Sequence, residues 1–556
     1  MSEEKNSNQK DIWKTARNSD DIDETFGRRK KPGIFAKMDI FGWISLFLIA
    51  VIIGGLGSIG YLSWTFNKAA NSKNAEAEGL VPVQGDFAPG RAKKADVLFR
   101  LAGRKRVGEN LMPDLVVAWM KSSGYGNVGV SKDANVTTIS GSKGGKSYRV
   151  LLSLGSAKGG FDAMQQGRVE GVYSLRSILP TEADKLSAYG DMTSPDNEKV
   201  IGHDVSFVFV NPSNNISTFN GDTLGRILSG EITDWSEISD KKSGEINIRV
   251  EEEGGDKNAS LLAKLLGDRE LRDAAKTYKS ANEVIKAVDA DKDAIGFAHK
   301  DGNTSGVKMV SVNERNARAF EPNSFNISTE AYPFVERILL YIGTTTSNQA
   351  LEDFAKFTLT SAGQEIVEKD GYGAQKLLEE GFQPPPEAPR DYTEFARNAK
   401  RLNFDFRFKM GATNLDNKAI ADVTRLQEYM TRQGITQQRI ALFGFADNVG
   451  SHETNVGVAQ ARAEKVLSTL GQAGINPSMV RAYGDVLPVG SNAYEEGRIK
   501  NRRVEVWVCP PPSCPLVSIV ENRPQATQES AQIGVIPTGV HLGKAVKSEG
   551  EVAPKG

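Results

Sequence analysis

The stretch from Arg439 to Leu470 reads RIALFGFADNVGSHETNVGVAQARAEKVLSTL and joins an apolar run to a helical pattern through a short polar turn. RIALFGFA is typical of a strand, and VAQARAEKVLSTL has the spacing of a helix. We predict Asn455 as the N-cap of this helix, with Gly471 near its end. The turn carries Asp447 and the helix carries Arg462, which makes these two side chains the first candidates for a binding site.

The chain of 556 residues is too long for one domain, and two or three domains are expected. Its formal net charge of −1 gives no overall electrostatic reason to bind nucleic acid. The four histidines are scattered and only two cysteines occur, so no metal-site spacing is present and no cofactor is predicted. No nucleophile–base constellation is evident, which favours a binding protein over an enzyme.

The two cysteines, Cys509 and Cys514, lie in the sequence CPPPSC, directly after a run with strand alternation. In an oxidising compartment they would close a small disulfide ring. The alternative is a pair of unlinked thiols in a loose tail.

An uncharged run from Ile40 to Phe66 is long enough to cross a bilayer as a helix. Basic residues are concentrated before it, so the positive-inside rule places the N-terminus in the cytoplasm and the rest of the chain outside. A cleavable signal peptide is the rival interpretation, but the apolar run and the polar region before it are both too long for one. We therefore predict a single-pass protein of a Gram-negative inner membrane, with residues 39–66 as an uncleaved anchor and the bulk in the periplasm.

Asp39 opens this run, at the depth where water gives way to hydrocarbon. Its position resembles that of the aspartate at the start of the single span of stator-type subunits (MotB, ExbD, TolR), which implies a proton carrier facing a polytopic membrane partner. The alternative is a plain boundary residue. Ala50, Gly54 and Ser58 form a small-residue stripe that predicts a homodimer through the membrane helix, although the ordinary glycine content of such helices explains the pattern equally well.

Composition and periodicity divide the chain further. Alternating strand and helix patterns in its central part indicate α/β layers with crossover connections. Proline clusters mark a linker, and Pro-, Gln- and Ser-rich sequence without periodicity indicates disorder. The predicted segments are a cytoplasmic segment at 1–38, the membrane helix at 39–66, a tether at 67–94, an α/β region at 95–376, a linker at 377–394, an α+β module at 395–508 and a disordered tail at 509–556.

Seven stretches of the α/β region follow one another in a characteristic order: AGRKRVGENLMPDLVVAWM, GGFDAMQQGRVEGVYSLR, HDVSFVFVNP, LGRILSGEITDWSEI, AIGFAHKDG, YPFVERILLYI and SAGQEIVEKDGYG. In sequence and order they resemble the phosphate-binding (PstS-like) branch of the periplasmic substrate-binding proteins. The resemblance implies two α/β lobes joined by a hinge, with the ligand cleft between them. In such a cleft, helix N-termini, hydroxyl groups and an arginine hold an oxyanion.

The residues at this family's anion-binding positions are changed here. The loop that is usually Gly-Ser-x-Thr reads Gly103-Arg104-Lys105-Arg106, the second loop aligns with Gly155-Ser156 or Gly159-Gly160, and Arg176 alone remains of a Ser-Arg pair. The site that the resemblance implies consists of Arg104, Lys105, Arg106, Ser156 and Arg176. Charged side chains in place of neutral donors favour an anion that is larger or more highly charged than phosphate. The alternative is a solvated basic loop in a domain that has lost its ligand.

Four stretches cover the α+β module: RLNFDFRFKMGATNLDNKAIADVTRLQEYM, RIALFGFADNVGSHETNVGVAQARAEKVLSTLGQAGI, MVRAYGDVLPV and EEGRIKNRRVEVWV. They closely resemble the OmpA-like peptidoglycan-binding domain. In that family the acid on the turn and the arginine on the next helix bind the free end of diaminopimelate in the wall peptide, and the matching residues here are Asp447 and Arg462. Diaminopimelate presents an ammonium and a carboxylate on one carbon, which a carboxylate and a guanidinium complement.

The same resemblance implies further wall-binding residues. Asn448 and Asn455 would donate or accept hydrogen bonds near the start of the helix. Arg498, Asn501, Arg502 and Arg503 match the family's Gly-Arg-x-x-Asn-Arg-Arg signature. Arg502 and Arg503 are both assigned as much to structure as to the ligand because they enter a strand. The alternative for Asp447 and Arg462 is a structural salt bridge between them, which would contribute little at a surface.

The predicted function is therefore an inner-membrane protein that binds peptidoglycan through one domain and binds or senses a small anion through the other. The alternative is a wall-anchored subunit of an ion-driven membrane complex with Asp39 as proton carrier, and a transporter-associated anion receptor is a third hypothesis. The predicted partners are the diaminopimelate peptide of the wall, a small anion, the inner membrane, a polytopic membrane protein and a second copy of the chain.

Overall fold

The computed structural model describes residues 95–252, 261–299, 304–315, 317–345, 348–409 and 414–514. They form a first domain from Asp96 to Lys369 and a second domain from Glu379 to Val508. Both domains belong to one compact unit of the chain.

Strands and short helices alternate along the first domain, as the sequence pattern predicts. Its strands are β1 (Asp96–Arg104), β2 (Gly126–Lys132), β3 (Val136–Lys143), β4 (Lys146–Gly155), β5 (Gly171–Ser174), β6 (Glu198–Val210), β7 (Thr218–Asn220), β8 (Asn247–Glu251), β9 (Lys276–Tyr278), β10 (Ala294–His299), β11 (Lys308–Met309), β12 (Ser311–Asn313) and β13 (Val335–Ile342). Its helices are α1 (Lys105–Glu109), α2 (Leu111–Ser122), α3 (Ala157–Gln165), α4 (Pro180–Lys185), α5 (Gly221–Ser229), α6 (Leu261–Leu266), α7 (Ala281–Asp289), α8 (Ser324–Ser328), α9 (Gln349–Leu359) and α10 (Ser361–Lys369).

One long strand connects the two lobes of the first domain. The described residues form an 11-stranded sheet in the order β2-β3-β4-β1-β5-β13-β6-β10-β8-β9, with β11 on β6. Residues 198–205 of β6 pair with β13, and residues 206–210 pair with β10. Apolar side chains form separate cores on either side of the point where β6 changes its pairing partner. One core surrounds Leu115 and Phe354, and the other surrounds Leu224 and Trp235. The predicted two-lobed α/β fold is therefore confirmed.

The helix α5 shows how local sequence specifies this fold. Its N-cap Asn220 accepts a hydrogen bond from the backbone amide of Asp222 at 2.8 Å, and its apolar side chains are buried. Gly230 ends the helix in the left-handed conformation with φ of 81°. A Cβ atom on Gly225 would lie 2.2 Å from the Leu265 carbonyl oxygen, so glycine lets α5 pack directly on α6.

The second domain is a sheet with helices packed on it. Its strands are β14 (Glu379–Gly381), β15 (Lys400–Arg407), β16 (Ile440–Gly444), β17 (Met479–Ala482) and β18 (Arg503–Val508), in the order β14-β15-β18-β16-β17. Its helices are α11 (Arg390–Asn398), α12 (Asn417–Gln433), α13 (His452–Gln472) and α14 (Glu495–Asn501). The strand and helix that the opening stretch predicts correspond to β16 and α13. β14 and the first part of α11 lie in the segment predicted as a linker.

Charged residues connect the two domains. Arg337 of β13 forms an ion pair with Asp416, which is the N-cap of α12, at 2.8 Å, and Arg407 of β15 forms one with Glu330 at 3.3 Å. Glu330 also pairs with Arg337 and accepts a hydrogen bond from His203 of β6 if that ring nitrogen is protonated. Burial raises the pKa of Glu330, but the two arginines and His203 outweigh it and hold that pKa well below its ordinary value. The domains therefore meet through an ionised, buried network.

Several predictions concern residues outside the described ranges. They are the cytoplasmic segment, the membrane helix with Asp39 and its small-residue stripe, the tether, and the tail beyond residue 514. Within the described ranges, no helix combines the length and apolar character needed to cross a membrane. Cys509 and Cys514 do lie in these ranges and form a disulfide. The disulfide ring is therefore confirmed over the alternative of two unlinked thiols.

Candidate functional site

The second domain places Asp447 where its central strand ends. β16 stops at Gly444, and the next two backbone amides donate to the carbonyl oxygens of Arg503 and Gly484 at 2.8 and 2.7 Å. These bonds fix the start of the turn that carries Asp447. The Asp447 carboxylate accepts a hydrogen bond from the Val449 amide at 3.2 Å and remains 12% exposed. It is therefore held at the edge of the domain without being closed off from a ligand.

Arg502 is the residue that pairs with Asp447. The distance from Arg502 Nη1 to Asp447 Oδ2 is 2.8 Å, and Nη2 of the same guanidinium donates to Glu495. Burial lowers the pKa of Arg502, but the hydrogen bonds to Asp447 and Glu495 outweigh it and raise that pKa. Arg502 thus orients the Asp447 carboxylate, with the second carboxylate of Glu495 balancing its own charge.

Arg462 lies on α13 close enough to Asp447 for an electrostatic interaction. Its Nε and Nη1 atoms are buried and have no hydrogen-bond partner, and its guanidinium carbon lies 5.7 Å from the centre of the Phe408 ring. Burial lowers the pKa of Arg462, and Arg502 adds to this effect while Asp447 opposes it. Among the described residues no carboxylate lies within 4 Å of Arg462 as an ion-pair partner, so the structural salt bridge considered as an alternative is not formed.

Asn455 and Asn448 lie near the same turn in different surroundings. Asn455 is 2% exposed, and its Nδ2 atom is buried without a hydrogen-bond partner. The prediction that it caps α13 was wrong, because the helix begins earlier and Ser451 accepts the capping bond from the Thr454 amide at 3.2 Å. Asn448 is exposed in the turn. Asn455 therefore presents a further buried donor two turns before Arg462 on the same helix.

The other two predicted arginines have partners within the domain. Arg498 forms an ion pair with Glu495 at 2.7 Å. Arg503 is 2% exposed, pairs with Glu505 at 2.9 Å and packs 3.9 Å from the ring centre of Phe445, so the structure does not support its assignment to the wall ligand. Arg503 begins β18, where side chains alternate between faces, and the neighbouring Arg502 is the one directed at Asp447. The sequence assigned Arg502 and Arg503 equally, because the strand's first residue could not be fixed from the pattern.

In the first domain, Arg106 lies between the two lobes and is held by carboxylates from the lobe-connecting strand and from β8. Its Nε atom is 3.4 Å from Asp204 Oδ2, and its Nη1 atom is 3.3 Å from Glu251 Oε1. Asp204 belongs to β6 and Glu251 ends β8, whereas Arg106 belongs to α1. The cation predicted to receive an external anion therefore already has two counter-charges from the chain.

These carboxylates are stabilised in their ionised forms. Burial raises the pKa of Asp204, but Arg106, His299 and Arg104 outweigh it and lower that pKa. Burial likewise raises the pKa of Glu251, which the hydrogen bond with His299 and the charge of Arg106 lower. The His299 backbone amide donates to Glu251 at 2.8 Å. Both carboxylates are thus charged next to Arg106, and an anion that entered here would have to displace them.

The remaining predicted anion-site residues lie around this cluster or have other partners. Arg104 is buried at the end of β1, and exposed Lys105 lies 3.7 Å from Glu109. Ser156 caps α3 by accepting a hydrogen bond from the Gly159 amide at 3.1 Å. Arg176 holds Glu182 through two hydrogen bonds of 2.8 and 2.6 Å. Within the described part of the chain, no cluster of His, Cys, Asp and Glu has the arrangement of a metal site.

Comparison with known protein families separates the same two domains. Residues 407–502 match the model of the OmpA family, and residues 182–362 match the model of a PBP superfamily domain. The chain therefore joins a PBP-like domain to an OmpA-like domain. Each match covers less than half of the chain.

Curated relatives match one domain at a time. Outer membrane porin F of Pseudomonas fluorescens is 34% identical over 110 residues, which cover 19% of this chain and 33% of the porin. Peptidoglycan-binding protein ArfA of Mycobacterium tuberculosis is 39% identical over 72 residues, or 13% of this chain and 22% of that protein. Phosphate-binding protein PstS of Borreliella burgdorferi is 23% identical over 186 residues, or 32% of this chain and 64% of that protein. The chain thus spans less than two thirds of the length of each.

Proposed function

We propose that this protein binds peptidoglycan through its second domain, with the diaminopimelate end of the wall peptide held between Asp447 and Arg462. The observation that carries the proposal is the Arg462 guanidinium, whose Nε and Nη1 atoms are buried and have no hydrogen-bond partner. Leaving buried donors unsatisfied costs free energy, and a ligand carboxylate beside the guanidinium would satisfy one of them. The resemblance to a relative named as a peptidoglycan-binding protein supports the same ligand.

Asp447 would bind the ammonium group of the diaminopimelate end. Its carboxylate is fixed by Arg502 and by the Val449 amide, and its remaining exposure leaves room for an ammonium group. A pre-oriented carboxylate loses little freedom on binding, so more of the interaction energy is retained as affinity. Asn455 adds a buried donor on the side of Arg462. The protein acts in this proposal as a binding protein rather than an enzyme.

Sedimentation of the full chain with purified diaminopimelate-type peptidoglycan tests this function. Arg462→Met and Asp447→Asn are each expected to weaken binding about tenfold to a hundredfold, as the loss of a hydrogen bond to a charged group predicts. Arg432→Met, at an exposed arginine of α12, is the matched control and should bind as the unmodified chain does. Peptidoglycan with lysine in place of diaminopimelate lacks the second carboxylate and should bind weakly. Unchanged binding by folded Arg462→Met would refute the site.

Anion binding between the lobes is a second candidate function, supported by the PBP-like match and by Arg104 and Arg106 beside the cleft. Because Asp204 and Glu251 already hold Arg106, an external anion must compete with them. Thermal unfolding of the full chain with phosphate, sulfate, pyrophosphate or a sugar phosphate tests it. A ligand at a hundred times its dissociation constant stabilises by about 2.7 kcal/mol. No change across the series would identify a domain without an anion ligand.

We also propose that residues 39–66 anchor the chain in an inner membrane with both domains in the periplasm. The uncharged sequence and the basic residues before it support this location. The disulfide between Cys509 and Cys514 fits an oxidising compartment. A reporter active only outside the cytoplasm should work after Val508 and fail before Lys30. An N-terminus of the extracted protein near Glu78 would contradict the anchor.

The alternative role in an ion-driven membrane complex depends on Asp39. In that case Asp39→Asn would abolish the function that deletion of the gene removes, while wall binding and protein abundance stay unchanged. Recovery of a polytopic protein with the detergent-extracted chain would favour this alternative. If the Asp39→Asn variant functions normally, Asp39 is not a proton carrier and is only a residue at the membrane boundary.

A further inference from the structure

A cavity lies where the two domains meet, away from both sites described above. Its empty volume is about 310 Å³, part of which is open to solvent. Three arginines line it: Arg318 from the segment between β12 and α8 of the first domain, and Arg401 of β15 and Arg503 of β18 from the second. Such a concentration of guanidinium groups beside a cavity needs counter-charges.

The chain supplies two of these counter-charges. Asp405 accepts a hydrogen bond from Arg401 at 2.5 Å, and Glu505 pairs with Arg503 at 2.9 Å and with Arg401 at 3.3 Å. The oxygens of Glu505 also accept hydrogen bonds from Tyr392 and Trp507, so they are fully occupied. These two carboxylates pair with Arg401 and Arg503 but not with Arg318.

Arg318 is the third arginine of the cavity. Among the described residues, none accepts a hydrogen bond from it or forms an ion pair with it. Its contacts are the aromatic faces of Phe320 and Phe382, at 4.7 and 5.8 Å from the guanidinium carbon. Burial lowers the pKa of Arg318, and the charges of Arg401 and Arg503 add to this effect. The exposed Glu387 also lines the cavity, but it forms no ion pair with a described residue.

The two deeper arginines keep donors without partners. Arg503 is 2% exposed and Arg401 is 3% exposed, yet Arg503 Nη1 and Arg401 Nε have no hydrogen-bond partner. Buried charged donors without acceptors are costly, and they are normally satisfied by a ligand or by water. The rest of the lining includes Pro385 and Leu487, which exclude water from one side.

We propose that this cavity is a binding site for a small monovalent anion of carboxylate size or smaller, held jointly by Arg318, Arg401 and Arg503. A compact anionic acceptor satisfies the unpartnered donors of Arg401 and Arg503. Because Arg318 belongs to one domain and the other two arginines to its neighbour, the bound anion fastens the domains together.

Thermal unfolding of the full chain at constant ionic strength tests the proposal, with sodium acetate or sodium chloride replacing sodium gluconate, whose anion is too large for the cavity. The unfolding midpoint should rise and saturate with acetate or chloride. Arg318→Met should weaken the apparent affinity about tenfold or more, because it removes a charged donor. Arg318→Lys keeps the charge and should retain part of the effect, which separates loss of the site from failure to fold.

Arg390→Met is the matched control, since Arg390 is exposed and lies outside the lining. Its response to acetate and chloride should equal that of the unmodified chain. Glu387→Gln removes the negative charge at the rim and should tighten binding. Equal midpoints in all three salts, or the same salt response in Arg318→Met as in the unmodified chain, would overturn the proposal.

Discussion

The cleft of the first domain and the turn of the second domain both contain a partly buried arginine, but the two arginines differ in their partners. Arg106 is held by Asp204 and Glu251, which come from strands far along the chain. Arg462 has Asp447 nearby, yet Asp447 is held by Arg502, and no carboxylate of the described residues lies within 4 Å of Arg462. A buried cation that the fold has neutralised mainly holds structure together, whereas one left unsatisfied is prepared for a ligand.

The strongest test of this contrast is the substitution Arg106→Met. It leaves Asp204 and Glu251 as buried carboxylates without their cation, and breaking a buried ion pair in this way costs about 3–5 kcal/mol. Chemical denaturation of the full chain should show this loss in the transition of the first domain. A loss below 1 kcal/mol, by the same measurement, would mean that the cluster is not a structural one.

The pH dependence of Arg106→Met sharpens the same test. In the folded chain the pKa values of Asp204 and Glu251 are lowered, so their contribution to stability is present above the ordinary carboxyl pKa of about 4 and is lost as the pH falls through the folded values. Without Arg106 this contribution disappears. The stability difference between the chain and its variant should therefore be largest at neutral pH and shrink below about pH 4.

The pKa of Asp370 is raised, in contrast to the lowered pKa values of Asp204 and Glu251. Burial first and the neighbouring Asp114 second raise its pKa from 3.8 to about 6. The stability it contributes is full below pH 3.8 and is lost as the pH rises through about 6, so at neutral pH its ionisation is unfavourable. Asp370→Asn should stabilise the chain by about 1 kcal/mol at pH 8, after allowance for solvent screening, and give no gain below pH 4.

The unfolding midpoint at the two pH values measures this effect. Asp240→Asn, at an exposed aspartate, is the control and should change neither value. Destabilisation of Asp370→Asn at pH 8 would show that Asp370 is a favourable ion-pair partner of Lys369 rather than a strained carboxyl group.

The smallest effect on stability is expected for Arg462→Met, which is compared directly with Arg106→Met. Arg462→Met removes a guanidinium that lacks acceptors and leaves an apolar side chain that can pack on Phe408. The free energy of unfolding should change by no more than about 0.5 kcal/mol, although wall binding is weakened. If this substitution destabilises the chain as much as Arg106→Met does, the distinction between the two arginines is wrong.

How far the sequence predicted this molecule depends on the range of the interactions involved. β16, α13 and α5 follow from apolar periodicity and glycine positions, which are local features. The cap of α13 and the choice between Arg502 and Arg503 depend on where an element starts to within one or a few residues, which patterns do not fix. The neutralisation of Arg106 depends on residues about 100 and 145 positions away, which only the tertiary fold brings into contact.

A structure of the full chain bound to a diaminopimelate-containing muropeptide tests the central claim most directly. The account predicts that one ligand carboxylate lies within about 3 Å of Arg462 Nε or Nη1 and that the adjoining ammonium contacts Asp447. The pairs of Arg502 with Asp447 and of Arg106 with Asp204 and Glu251 should remain as they are in the free protein. A muropeptide bound in the cleft of the first domain, or bound in the second domain without contact to Arg462, would contradict the account.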